Sequence, residues 1–178
     1  ISSESKIFWL FRAERFITGF ISGSLVPTGR KVCDMASIAQ IMNKKPQSIG
    51  PTTSIRGAAK KMRDLRVGSL LIKKGKNFVG IVTDTDLVRK GLATSQDVSK
   101  LTVDKIMTTP LCTIESNQAV DDAQDMMGDL GVRHLAVTKG GSIVGVVSVR
   151  DLLMHYKRYA QSRLADKQVY SEPKIGQD

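Results

Sequence analysis

The chain has 178 residues, 41% of them hydrophobic and 25% charged, with 15 Gly and 5 Pro, a balance that excludes fibrous, collagen-like and disordered chains and leaves room for one or two small domains. Twenty-seven Lys and Arg against 17 Asp and Glu give a net charge of +10, interspersed rather than gathered in a tail, which favours phosphate-bearing partners; an aromatic content of 5%, with Trp9 the single Trp, withholds the stacking platform that single-stranded nucleic acid needs. Two cysteines, Cys33 and Cys112, and two histidines, His134 and His155, cannot build a disulfide framework, a Cys-type zinc site or a multi-His centre; with no HExxH or GxSxG present, no catalysis is expected and a reducing, cytoplasmic compartment is.

In chain order, residues 7–26 have the length of a membrane span. Arg12, Glu14 and Arg15 sit near its middle, where each charge costs about 3 kcal/mol on insertion, so no transmembrane helix is expected. Trp9, Ala13, Phe16, Ile17 and Phe20 recur at helical spacing and predict an amphipathic helix that covers a core, a partner subunit or a membrane surface. Residues 1–34 are read as an N-terminal extension without an assigned function, because Met35-Ala36-Ser37 directly precedes the first organised segment.

From there the sequence repeats itself at an offset of 65 residues. Ile41-Met42 falls on Ile106-Met107, Ala58 on Ala123, Met62 on Met127 and Asp64-Leu65 on Asp129-Leu130. Val67 falls on Val132, Leu70 on Leu135, Lys74-Gly75 on Lys139-Gly140, Val79-Gly80 on Val144-Gly145 and Asp86-Leu87 on Asp151-Leu152. There are 16 identities in 52 gapless positions between 41–92 and 106–157, a register that chance does not hold.

Both copies predict the order β-α-β-β-α. In the first, Gln47 to Ile49 is extended; Ile55, Ala58, Ala59, Met62 and Leu65 mark a helix; strands follow near Ser69–Lys73 and Phe78–Thr83, and a helix starts at about Asp86. In the second, Leu111 to Ile114 is extended, Ser116 and Asn117 offer a cap, and Ala119, Val120, Ala123, Met126, Met127 and Leu130 mark a helix that Gly131 ends. His134–Thr138 and Ser142–Ser148 then form a hairpin around Lys139-Gly140-Gly141, and a helix follows, extending near Leu152–Leu164. Roughly 55 residues bury little core alone, so the copies are expected to pack on each other. The resulting fold class is α+β, divided into an extension (1–34), copy one (35–95), copy two (96–160) and a tail (161–178).

Two stretches carry the chemistry: Gly80-Ile81-Val82-Thr83-Asp84-Thr85-Asp86 and Gly145-Val146-Val147-Ser148-Val149-Arg150-Asp151. An ionised carboxylate near a helix start accepts both hydroxyls of a ribose, the role open to Asp86 and Asp151, and the hydroxyl of Thr83 or Ser148 can donate to a ribose or phosphate oxygen. The alternative is that both carboxylates are N-terminal helix caps and nothing more. Gly80 and Gly145 suit the close approach of another backbone or of a ligand. The helix flank Lys60, Lys61, Arg63 and Arg66 is either a solvated face or a nucleic-acid contact.

These motifs, in two copies at one offset, resemble the cystathionine-β-synthase (CBS) domain pair, or Bateman module, over roughly residues 38–159. The resemblance implies a pseudo-twofold pair, frequent dimerisation through its helices and a regulatory role. It further implies that the central cleft takes an adenosine-containing ligand such as AMP, ADP, ATP or S-adenosylmethionine, with no other cofactor. By that carry-over each motif faces the first two strands of the other copy. Site one then combines Thr83 and Asp86 with Cys112, Thr113, Ile114, Val132, Arg133 and His134; site two combines Ser148, Arg150 and Asp151 with Gln47, Ser48, Ile49, Val67, Gly68 and Ser69. Arg133 and His134 give site one a phosphate-pairing charge that Gly68 and Ser69 do not give site two, and Arg150 partly offsets the difference. A homodimer through the stripe Leu87, Val88, Leu152, Leu153 and Tyr156 is expected, with a regulated protein as a possible further partner. Two rival readings stand beside this one: a nucleic-acid-binding adaptor and a structural dimerisation module without ligand.

Overall fold

The structure, a computed structural model, describes residues 36–95 and 97–169; the amphipathic helix expected within residues 1–34 lies outside the described residues, as does the tail from residue 170. Among the described residues no helix is long and apolar enough to cross a membrane.

Copy one runs α1 (Ile38–Ile41), β1 (Ser48–Ile49), α2 (Ile55–Leu65), β2 (Ser69–Lys74), β3 (Asn77–Thr83), a single turn α3 (Asp84–Asp86) and a π helix (Leu87–Leu92). Copy two runs α4 (Val103–Ile106), β4 (Thr113–Glu115), α5 (Val120–Leu130), β5 (His134–Lys139), β6 (Ser142–Ser148) and α6 (Val149–Val169). Each copy is a three-stranded sheet, β1-β2-β3 or β4-β5-β6, with its first pair parallel and its second antiparallel. The register slips between Ile72 and Lys73 in one and between Val137 and Thr138 in the other, the same place in the repeat.

Local chemistry accounts for the element ends. Ser54 caps α2, its Oγ accepting from the Gly57 N–H at 3.1 Å. The expected cap of α5 at Ser116 or Asn117 is not used: α5 starts two residues later with Ala119 at the cap position, and Asp122 Oδ2 reaches back to accept the Ala119 N–H at 3.0 Å. Both helices stop on a left-handed residue, Gly131 in copy two and Arg66, at φ 53°, in copy one. In the second hairpin Gly140 and Gly141 both take positive φ, which lets the chain reverse within two residues.

The two cores exchange their opening segments. Ile38 of α1 is fully buried, yet it packs with Ile114, Val120, Leu135 and Val147 of copy two. Reciprocally, Leu101, Val103 and Ile106 pack with Ile55, Met62, Leu70 and Val82 of copy one. Backbone bonds fix the exchange: the Asn43 and Val146 amides bond each other's carbonyls at 2.9 and 3.1 Å, and Ile81 and Thr108 do the same at 3.1 and 2.8 Å. The division at residue 95 or 96 therefore separates the repeats in sequence, while each core draws on both sides of it.

This exchange is what Gly80 and Gly145 serve. A Cβ at Gly80 would stand 2.9 Å from both the Thr108 carbonyl oxygen and Met107 Sδ, and one at Gly145 would stand 2.8 Å from both the Asn43 carbonyl oxygen and Met42 Sδ, so backbone as well as side chain closes on each glycine.

The second helices differ. Copy one has only the α3 turn and six π residues, whereas copy two has a continuous helix of 21 residues. Leu87 and Leu152, expected to be partly bare, belong to the cores; Val88 and Leu92 in copy one, and Leu153, Met154, Tyr159 and Leu164 in copy two, are the large apolar residues these helices expose. Tyr156 is half-buried and donates from its hydroxyl to Asp121 Oδ1 at 2.6 Å, which ties α6 to α5. Burial and then the Asp121 carboxylate push that hydroxyl up to about 12, so it remains a donor at neutral pH.

Candidate functional site

Asp86 and Asp151 stand where a β-strand turns into a helix, and both act as helix caps. Asp86 Oδ2 accepts the Thr83 N–H at 3.0 Å and the Thr83 hydroxyl at 2.7 Å, while the Asp86 N–H returns to Thr83 Oγ1 at 3.2 Å. Asp151 repeats the pattern with Ser148, at 2.8, 2.6 and 3.4 Å. Capping occupies one oxygen of each carboxylate. The other oxygens differ: Asp86 Oδ1 pairs with Lys90 Nζ at 2.6 Å, whereas Asp151 has no ion-pair partner among the described residues. Lys90 also donates to the Ile106 carbonyl and to Thr108 Oγ1, at 3.3 and 3.2 Å, so it ties the Asp86 carboxylate to the segment that crosses over from copy two.

Each motif opens onto a cleft completed by the other copy. The first, of about 460 Å³, gathers Thr83, Asp86, Cys112, Val132, Arg133 and His134 as expected. Thr113 and Ile114 are not in it; Thr113 points to solvent and Ile114 is buried in the core of copy two, because side chains alternate along β4. The second, of about 740 Å³, gathers Gln47, Val67, Gly68, Ser69, Ser148, Arg150 and Asp151. Ser48 and Ile49 are absent from it: Ile49 packs on the core of copy one and the Ser48 carbonyl accepts Lys61 Nζ at 2.8 Å.

The sequence reading missed the cations that α2 and the π helix bring. Arg89 lines the first cleft, and Arg63 and Arg66 line the second. Their signal was present, since the α2 flank is basic, but only the fold aims its C-terminal end at Asp151.

Arg133 and His134 line both clefts. The Arg133 guanidinium donates to Asp84 Oδ1 at 3.0 Å and also to the Thr85 hydroxyl. The charge expected to distinguish site one is thus shared and partly neutralised. The pair joins the copies, Arg133 coming from copy two and Asp84 from copy one; each is held within its own copy by an equivalent backbone bond, Asp84 N–H to the Gly68 carbonyl at 3.0 Å and Val149 N–H to the Arg133 carbonyl at 3.1 Å. Burial, then the Arg133 charge, hold His134 below its usual 6.5, against the weaker pull of Asp84, Asp151 and Asp86.

A family model described as the CBS domain matches residues 38–93 and 103–158, the two copies found from the repeat. The chain belongs to the CBS-domain family. Among its relatives, a 17.7 kDa protein of Acidianus ambivalens is 36% identical over 117 residues, covering 65% of this chain and 70% of that one. A CBS domain-containing protein of Bacillus subtilis is 26% identical over 121 residues, covering 68% and 86%. Among solved structures, a putative signal-transduction protein with CBS domains from Burkholderia ambifaria superimposes with a TM-score of 0.65 at 26% identity, covering 79% of this CBS chain and all of that one. A hexameric CBS-CP12 protein from bloom-forming cyanobacteria gives 0.61 at 25%, covering 66% and 69%.

Proposed function

We propose that this CBS pair is a cytoplasmic regulatory module that binds an adenosine-containing ligand, AMP, ADP, ATP or S-adenosylmethionine, between its copies. Occupancy then alters the packing of the two halves within a homodimer. The observation that carries this reading is the second cleft, where Asp151 keeps one carboxylate oxygen clear of ion pairs and faces Arg63, Arg66, Arg133 and Arg150. A carboxylate that accepts ribose hydroxyls beside guanidiniums that donate to phosphate is the donor and acceptor set a nucleotide requires. In the first cleft, a ribose must compete with Lys90 for the remaining Asp86 oxygen. The second cleft is therefore the tighter site, the reverse of what Arg133 alone suggested. A ligand shifts the packing only by its difference in affinity for the two arrangements.

Calorimetry with AMP, ATP and S-adenosylmethionine on the wild type, Asp86→Asn and Asp151→Asn tests it, with melting curves to register loss of the caps. Asp151→Asn is expected to weaken the tightest binding at least tenfold and Asp86→Asn to leave it within about threefold, a charge-assisted hydrogen bond being worth roughly 1.5–3 kcal/mol. No binding of any of the three by the folded wild type overturns the reading.

A further inference from the structure

The first helices of the two copies are related by the repeat and opposite in charge. α2 carries Arg56, Lys60, Lys61 and Arg63 against one acid, Asp64; α5 carries Asp121, Asp122, Asp125 and Asp129 and no basic residue. At positions 65 apart the sign inverts outright: Arg56 answers to Asp121 and Lys60 to Asp125, and all four are exposed. Among the described residues no ion pair joins the two helices; the pair that involves either of them is Arg63 with its neighbour Asp64.

Each of these helices lies beside the second helix of its own copy, as the approach of Gly91 to Ile55 and the Tyr156–Asp121 hydrogen bond show. That second helix is bare and apolar at one equivalent position, Val88 being 54% and Leu153 64% exposed; Leu92 and Met154 lie alongside but answer to Lys157 and Arg89 in the repeat, and Leu153 also lines the rim of the second cleft. Both copies thus present a similar patch, an apolar strip centred on Val88 or Leu153 with a charged helix next to it. The charge is positive on one and negative on the other.

We propose that two copies of this chain associate head to tail, copy one of each protomer against copy two of its partner, so that α2 faces the partner's α5 twice about the twofold axis. This rests on the homodimer reading above and adds its orientation. The occupant of the apolar strip is a second copy because the strip's own flanks supply the complement: the patch on copy one fits the patch on copy two and repels itself. In a closed twofold dimer, head-to-head pairing would set the basic helix against a basic helix and four aspartates against four aspartates. Val88 and Leu153 are equivalent, so apolar burial does not choose between the arrangements, and charge does. The head-to-tail interface joins the π helix that follows Asp86 to the partner's α6 that follows Asp151, linking unlike clefts across the dimer.

The test measures the dimer dissociation constant of the full chain by analytical ultracentrifugation for the wild type, for Arg56→Glu/Lys60→Glu, for Asp125→Lys/Asp129→Lys and for the chain carrying all four changes. Either double reversal is expected to weaken the dimer at least tenfold and the fourfold reversal to restore it to within about threefold, with the wild type loosening as salt rises. Zero-length carbodiimide coupling of mixed light and heavy-isotope chains is expected to join Lys60 or Lys61 to Asp125 or Asp129 of the other isotope. A dimer indifferent to the double reversals, or isotope-mixed crosslinks that avoid these pairs, overturns the orientation and leaves the homodimer reading standing. A wild type that stays monomeric at tens of micromolar overturns both. Loss of binding to a short DNA duplex in Arg56→Glu/Lys60→Glu, with the dimer unchanged, reassigns α2 to nucleic acid and overturns the proposal.

Discussion

His134 illustrates how one side chain links the clefts to stability. Its position near both carboxylate motifs would ordinarily favour the charged imidazolium, yet burial and Arg133 prevail and hold its pKa below 6.5. The folded protein therefore keeps it neutral while the unfolded chain takes up the proton first. Stability from this residue is complete above about pH 6.5 and is lost as pH falls through the lowered native value. Urea melts across pH 7.5 to 5 should show the wild type losing more stability than His134→Gln, and equal slopes would remove His134 as the cause. Glycines make a second residue-scale contrast. Gly145→Ala is expected to cost about 1–3 kcal/mol, because the new methyl meets the Asn43 carbonyl and Met42 Sδ at 2.8 Å. Gly128→Ala, within α5 and with nothing in its way, should instead stabilise by about 0.5–1 kcal/mol. Thermal melts of the two variants check both signs.

At the scale of elements, the exchange of opening segments has a measurable signature. Ile38→Ala changes a residue of copy one in sequence and removes a side chain from the core of copy two. It should cost about 2–5 kcal/mol, and native-state hydrogen exchange should show protection falling in β5 and β6 at least as much as in β2 and β3. The opposite ranking would mean that α1 does not dock as described. The order of elements, both hairpins and the stop at Gly131 were legible in the sequence because they follow from period, turn residues and glycine. The exchange was not, because α1 and α4 are four residues each, too short to show a period. The ends of copy one's second helix were equally hidden: the offset aligns Asp86-Leu87 with Asp151-Leu152, but the helical pattern that Tyr156 continues in copy two falls on Gly91 in copy one, which lies against Ile55.

At the scale of the whole molecule, the crosswise clefts were legible to the extent that the motif and the repeat define them; Ile49 and Ile114 miss them because each turns into a core, and Thr113 because it faces solvent. What no offset could reveal is that Arg133 and His134 serve both clefts, since aligning the copies assigns every residue to one site. The two clefts also end in unequal machinery. Beyond Asp86 the helix stops after the six π residues, with Lys90 stapled to the crossing segment at Ile106 and Thr108. Beyond Asp151 a single rod of 21 residues, roughly 30 Å long, leaves the body of the protein. A tilt of roughly 5° at its base sweeps its far end through roughly 3 Å, a displacement set by length alone. An event at Asp86 has no such lever to move. Two pockets that began as copies of one unit are thereby geared differently, one against a fixed strut and the other to a long arm that amplifies.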